Sequence, residues 1–363
     1  MKYINALFLF VSSVIFAQNS DPFVVEATFL KGNILPHKKG VDHLITGHPE
    51  GVFVGFLKQS NPQIEWQKNY NYPEYGAYFL YQDFKNELLG QNFALGLQSN
   101  FYFLNRKIQF KAAAGVALTT NPYDKETNSK NIAFGSKLMA NIDVGLAYKK
   151  YFFNQKIALQ AGLFFSHYSN GRTKSPNSGI NTINLSLGVS YHFMDATKSY
   201  VKNPDKLDLK YTEPIHYNFV FRSGCNQSSV VNSGQYAFYH LCFFADKRIN
   251  KKSAIQLGTE LFVSNFYKEF IRYQSVAYPA KNVDPDTDFK RVGLFVGHEL
   301  IFNKVSVELQ VGYYVYQPYK FDIPVYDRIG IKYYLNKKIN AGVGVKTHGF
   351  LAEALEFSIG YRL

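Results

Sequence analysis

The chain has 363 residues, 46% apolar and 17% aromatic, with 33 Phe and 28 Tyr against 1 Trp, and only 18% charged at a formal net charge of +13. That apolar content excludes a disordered chain, and 2 Cys over this length exclude a disulfide-framework miniprotein. Past the N-terminus no stretch approaches the roughly 20 apolar residues of a spanning helix, so aromatic richness without a long apolar run points to an all-β, antiparallel transmembrane β-barrel.

Met1-Lys2 opens a short basic region, Ile4 to Phe16 is mostly apolar, and the small residue Ala17 precedes Gln18. This layout predicts a secretory signal peptide over 1–17. Strand-like segments then follow near 23–31, 50–60, 75–84, 91–104, 107–118, 131–151, 155–167 and 181–193. A second set follows near 215–225, 235–246, 252–268, 289–302, 305–317, 325–335, 338–347 and 354–363. The total is about sixteen strands. From Ile183 to Phe193, Leu185, Leu187, Val189 and Tyr191 alternate with Asn184, Ser186, Ser190 and His192. A strand turns successive side chains to opposite faces, so one face is apolar and the other wet. Segments of this length cross a bilayer at a tilt, and Tyr and Phe near their ends suit an interfacial girdle.

The halves read as repeats. Asn105-Arg106-Lys107-Ile108 leading to Gly115 and Pro122-Tyr123 matches Asn303-Lys304-Val305 leading to Gly312 and Pro318-Tyr319. Asn154-Gln155-Lys156-Ile157 leading to Ala161-Gly162 and His167 matches Asn336-Lys337-Lys338-Ile339 leading to Ala341-Gly342 and His348. The expected organisation is a first eight-strand repeat over 18–193, a polar linker over 194–213 and a second, degenerate repeat over 214–363. One barrel of about sixteen strands or two of eight both fit; the single closed barrel is commoner and is favoured. Cys225 and Cys242 would lie in an oxidising space, but a hairpin turning near Val230 sets Cys225 opposite a residue well before Cys242, which disfavours a disulfide.

One constellation carries chemistry. Ile157, Leu159, Ala161, Leu163 and Phe165 share the lipid-facing parity, and His167 and Ser169 continue it at the outer rim. Polar groups facing hydrocarbon are costly, so a pair two residues apart on that face calls for a use. A neutral His can take a serine hydroxyl proton and make the oxygen a nucleophile for an ester carbonyl. Asn181, at the same parity on the returning strand, is the candidate to orient the imidazole. Asn170 with nearby loop amides is the candidate source of oxyanion donors. No metal-ligand cluster of convincing spacing is evident.

His167-Tyr168-Ser169-Asn170-Gly171, followed by Pro176-Asn177-Ser178-Gly179-Ile180-Asn181, resembles the signature of outer-membrane lipid A 3-O-deacylases of the PagL type, acyloxyacyl hydrolase-like proteins. The resemblance covers roughly residues 130–193 well and the preceding strands loosely. It implies an eight-stranded barrel in the outer membrane of a Gram-negative bacterium. It also implies an external serine hydrolase site, lipid A of lipopolysaccharide as substrate among the outer-membrane lipids, and no required cofactor. Carried over, Ser169 is the nucleophile, His167 the base, and Asn170 and Asn177 lie around the oxyanion site. The family's catalytic Glu falls at or near Asn181, and a second half follows where the family's chain would stop.

Other residues have blander readings. His348 lacks a serine two residues on and reads as structural. Glu353 shares the outer parity of Leu355 and reads as a solvated rim carboxylate. Glu65 to Tyr70 reads as a girdle segment or rim loop. Lys38, Lys39, Lys125, Lys130, Arg172 and Lys174 suit an acidic lipid surface without specifying a substrate. Nucleic acid is not an expected partner of an exported barrel. The alternative functions are a channel and a catalytically dead binding barrel, the latter because of Asn181.

Overall fold

The computed structural model describes residues 22–38, 40–193, 211–349 and 351–363. The proposed signal peptide, Lys39 and most of the linker lie outside the described residues. The first eight strands are β1 (Phe23–Leu35), β2 (Glu50–Lys58), β3 (Glu74–Asp83), β4 (Gln91–Phe103), β5 (Ile108–Thr119), β6 (Leu138–Phe152), β7 (Ile157–Ser169) and β8 (Ile180–His192). The second eight are β9 (His216–Asn226), β10 (Tyr236–Arg248), β11 (Ser253–Ser264), β12 (Arg291–Phe302), β13 (Val305–Tyr316), β14 (Val325–Tyr334), β15 (Ile339–His348) and β16 (Leu351–Arg362). Helix α1 (Glu65–Asn69) follows β2, and helix α2 (Asn265–Ala277) follows β11.

The favoured single barrel is corrected: the strands form two closed antiparallel barrels of eight. β8 pairs back onto β1 from His192↔Val24 to Asn181↔Leu35, and β16 pairs back onto β9. Each half thereby pairs its own free edges, so neither offers unpaired backbone to lipid. Cys225 stands opposite Ala237 and Cys242 opposite Val220, and both thiols are free.

Burial is inverted relative to a soluble protein. Along β8, Leu185 is 69% exposed and Leu187 64%, while Thr182, Asn184, Ser186 and Ser190 are buried in the lumen. Eight strands leave an interior just wide enough to be filled by side chains. In the first barrel, Lys111 meets Glu26 at 2.5 Å and Arg106 meets Glu74 at 2.6 Å. Toward the rim where β7 ends, an apolar cluster takes over, with Phe53 stacked on Tyr78 at 5.0 Å and edge-on to Phe164. In the second barrel, Arg328 bridges Glu260 at 2.8 Å and Glu356 at 2.5 Å, and Lys332 bridges Glu299 at 2.6 Å and Glu308 at 3.2 Å. The space left beside Arg222, Glu308 and Arg328 is about 10 Å³, the room of a single water.

Four expectations shift. β6 starts at Leu138, not near 131, because the Asn131 side chain accepts from the Ala133 and Phe134 amides and folds that stretch as a loop. β11 stops at Ser264, and the 3.6-residue spacing of Phe266, Tyr267, Phe270, Ile271 and Gln274 makes α2, whose buried face these side chains form. Glu353 is not a solvated rim carboxylate but fully buried. A register shift between Lys346 and Thr347 leaves Glu353 unpaired opposite β15 and turns it inward, where Arg291 meets it at 2.6 Å and Lys346 also binds it. Glu65 to Asn69 is helical rather than a rim loop. His348 faces the lumen and hydrogen-bonds the Tyr314 hydroxyl at 2.9 Å, as its structural reading requires.

The barrels meet at both rims. At the rim where β1 starts and β12 ends, Tyr70 packs on Phe302 at 4.3 Å, Lys252 lies 5.0 Å from the Tyr70 ring, and Lys251 pairs with Glu65 at 2.7 Å. Burial in this contact pushes the Tyr70 hydroxyl up to about 12. At the opposite rim the loop between β7 and β8 meets the loop between β9 and β10.

Candidate active site

β7 and β8 are antiparallel neighbours, and their register sets His167 directly opposite Asn181. Opposed residues share a face with their Cβ atoms close, and Ser169 lies two residues further along the face that Leu159 and Leu163 expose to lipid. The three residues expected to act together therefore converge on the outside of the first barrel. His167 Nδ1–H donates to Asn181 Oδ1 at 2.5 Å. The amide oxygen can only accept, which assigns the imidazole proton to Nδ1 and leaves the Nε2 lone pair for Ser169 Oγ, 3.1 Å away. Ser169 Oγ donates to that nitrogen, the starting arrangement for proton removal. Ser169 is 9% exposed and His167 half-buried, so the relay is partly screened from water.

The expected oxyanion donors are arranged differently. The Asn170 N–H donates to Asn177 Oδ1 at 3.0 Å, and Asn170 Nδ2 donates to Ser136 Oγ at 3.0 Å and to the Lys174 carbonyl at 2.8 Å. Both Asn170 and Asn177 brace the loop. The amide directed at Ser169 Oγ is that of Gly171, at 3.4 Å, and Gly171 holds φ +60°. Gly179 backs the site at φ +70°, where an added Cβ would come 3.2 Å from Ser169 Cβ and 3.4 Å from His167 Cε1. Only a residue without a side chain closes the loop there at low cost. Neither glycine was singled out from the sequence, although both stand in the quoted motif.

The β1–β2 loop covers the far side. His37 Nε2–H donates to the Ser178 carbonyl at 2.9 Å and Lys38 Nζ to the Asn177 carbonyl at 3.4 Å. Burial, with the Arg172 guanidinium nearby, lowers the Lys38 ammonium below its usual range. Lys125, Lys130 and Lys174 lie on the same rim.

Two further constellations lie in the second barrel. His240 sits between Glu356, at 2.8 Å from Nδ1, and Ser264 Oγ, at 3.2 Å from Nε2, all three buried in the lumen. No local motif signals this trio, because its members come from β10, β16 and β11. Among the described residues, the His/carboxylate group with metal-ligand spacing is Asp322, His348 and Glu353. The Arg291 and Lys346 cations already compensate that Glu353 charge.

Two family models match the chain: the lipid A 3-O-deacylase (PagL) model over residues 50–190 and the acyloxyacyl hydrolase C-terminal domain model over residues 215–363. No curated protein matches. Among solved structures, a BenF-like porin from Pseudomonas fluorescens Pf-5 aligns at 10% identity and a TM-score of 0.22, covering 96% of this chain and 99% of its own. The outer membrane protein opdK from Pseudomonas aeruginosa aligns at 8% identity and a TM-score of 0.21, covering 96% and 100%. A triple mutant of the Rhodopseudomonas blastica porin aligns at 11% and 0.19, covering 94% and 99%.

Proposed function

The chain belongs to the lipid A 3-O-deacylase (PagL) family, and from that premise we propose that it is an esterase of a Gram-negative outer membrane that removes the 3-O-linked acyl chain from lipid A. The observation that carries this reading is the outward alignment of Asn181, His167 and Ser169, with His167 Nδ1 at 2.5 Å from Asn181 Oδ1 and Nε2 at 3.1 Å from Ser169 Oγ. In it, Ser169 Oγ attacks the ester carbonyl as its proton passes to His167 Nε2. The Gly171 amide supports the developing oxyanion, and His167 returns the proton to the departing sugar hydroxyl. A water entering at the rim then hydrolyses the acyl-enzyme. Asn181 holds the ring's tautomer and direction but, being neutral, gives the imidazolium less support than a carboxylate.

With the first strand starting at the periplasm, the site faces the outer leaflet, where lipid A can arrive laterally. The reading divides the chain into a leader over 1–17, a catalytic repeat over 18–193, a linker over 194–213 and a second repeat over 214–363. The channel reading is not favoured, since ion pairs and aromatic rings fill both lumens. The deciding experiment is lipid A mass spectrometry of cells expressing the wild type, Ser169→Ala or His167→Ala. Wild type should remove one hydroxyacyl mass and neither variant should, with barrel assembly intact. Identical spectra with and without the wild-type gene would sink the proposal.

A further inference from the structure

The loop that follows the nucleophile, residues 170–179, is held from two sides. Its second part belongs to the first barrel: the Ser178 amide donates to the Ile132 carbonyl at 3.0 Å and the Gly179 amide to the Ala133 carbonyl at 3.2 Å. Its first part is bonded to the second barrel. The Ser175 amide donates to Gln227 Oε1 at 2.9 Å, and Ser175 Oγ donates to the Ser228 carbonyl at 2.6 Å. The Gln227 amide donates to the Arg172 carbonyl at 3.0 Å, and Gln235 Nε2 donates to the Thr173 carbonyl at 2.6 Å. Ser175, Gln227 and Ser228 are each no more than 5% exposed, so these bonds do not compete with bulk water. The Arg172 side chain extends over the α2 ring of Phe266 at 5.4 Å. Gly171 itself is seated on β16, where an added Cβ would come 2.8 Å from Leu355 Cβ.

The consequence falls on a single atom. The amide directed at Ser169 Oγ belongs to Gly171, which lies one residue before the bonded run Arg172 to Ser175 and is wedged against Leu355. We propose that the second barrel is a positioning subunit of the hydrolase, in which Gln227, through Ser175 and Arg172, holds the Gly171 amide at the oxyanion position. The inference rests on the esterase reading and assigns the second repeat a task in the same reaction. Gln227 touches neither nucleophile nor base, so it acts only through the loop. Its two bonds to the loop, one accepted by the side chain and one donated by the amide, clamp residues 172 and 175 together, while Nε2 donates to the Val230 carbonyl at 3.4 Å. Displacement of a positioned donor by about 1 Å costs on the order of 10²-fold in rate.

The test uses the full-length protein in detergent-lipid micelles with purified lipid A. Gln227→Ala removes the acceptor for the Ser175 amide, whereas Gln227→Glu keeps an oxygen there. For Gln227→Ala, kcat should fall by about 10- to 100-fold with KM within about twofold. Acylation of Ser169 by a fluorophosphonate probe should slow in parallel, and Gln227→Glu should restore most of both. A general packing defect would instead lower the fraction of heat-resistant folded barrel and would not distinguish Glu from Ala. Equal kcat for wild type and Gln227→Ala, or equal losses for Ala and Glu, overturns this inference and leaves the esterase reading standing. No turnover and no Ser169 labelling in the wild type overturns the esterase reading, and this inference with it.

Discussion

Among the described residues, two of the serine–histidine pairs share nearly the same geometry in opposite surroundings. Outside the first barrel, His167 joins Ser169 at 3.1 Å and Asn181 at 2.5 Å. Inside the second, His240 joins Ser264 at 3.2 Å and Glu356 at 2.8 Å. By orienting group alone the inner trio is the better hydrolase, since a carboxylate supports an imidazolium as an amide does not. Yet Ser264 and His240 are fully buried, His240 is stacked on Phe238 at 4.6 Å, and α2 follows directly on Ser264. Glu356 is also held by Arg328. Hydrogen-bond geometry does not make a reactive serine; the serine must also face a space that a substrate can occupy.

The sharpest break of that comparison is at the serines. Ser169→Ala should lower lipid A deacylation on the order of 10³-fold or more, while Ser264→Ala should leave it unchanged. Peptide mapping after fluorophosphonate treatment should find the adduct on Ser169 alone; an adduct on Ser264 would reverse the assignment. The next effect concerns stability. Arg328→Ala removes the cation shared by Glu260 and Glu356, leaving Glu260 to Arg222 and Glu356 to His240, and should cost up to about 3–5 kcal/mol. The loss would appear as an earlier loss of the compact band in heated SDS gels, and an unchanged transition would mean the inner charges are hydrated.

A smaller effect would bring the outer trio closer to the inner one. Asn181→Glu supplies the missing carboxylate and should raise kcat by about 10-fold, consistent with the sensitivity of such relays to their third member; a fall would mean that the amide is required for ring direction. A separate effect is on pH dependence at the rim of the second barrel. Burial, and then the Glu353 carboxylate, push the Asp322 carboxyl up to about 7. The folded state therefore keeps a proton that the unfolded chain releases near pH 4, so stability declines as pH rises from about 4 to about 7. Asp322→Asn should flatten that slope in thermal unfolding followed by tryptophan-independent far-UV dichroism.

The outer trio was legible in the sequence because strand parity is local. Ile157 through Phe165 establish which face meets lipid, and His167, Ser169 and Asn181 inherit it. Ring closure was not legible, because whether β8 returns to β1 or passes to β9 depends on shear and edge pairing, not on any residue in β8. Parity also failed at Glu353, where one extra residue in β16 reverses the facing. The inner trio spans residues 240 to 356 and has no motif, so only assembled strands bring it together. Helix α2 did carry a signal in the spacing of Phe266, Phe270 and Ile271, which continued apolar character past Ser264 had masked.

The packed lumens set the dimensionality of this chemistry. Ion pairs and rings fill both interiors among the described residues, and on the proposed function each substrate arrives edgewise within the sheet of lipid. Turnover should therefore follow the mole fraction of lipid A per unit area of bilayer, and be indifferent to how much of it is added to the flask.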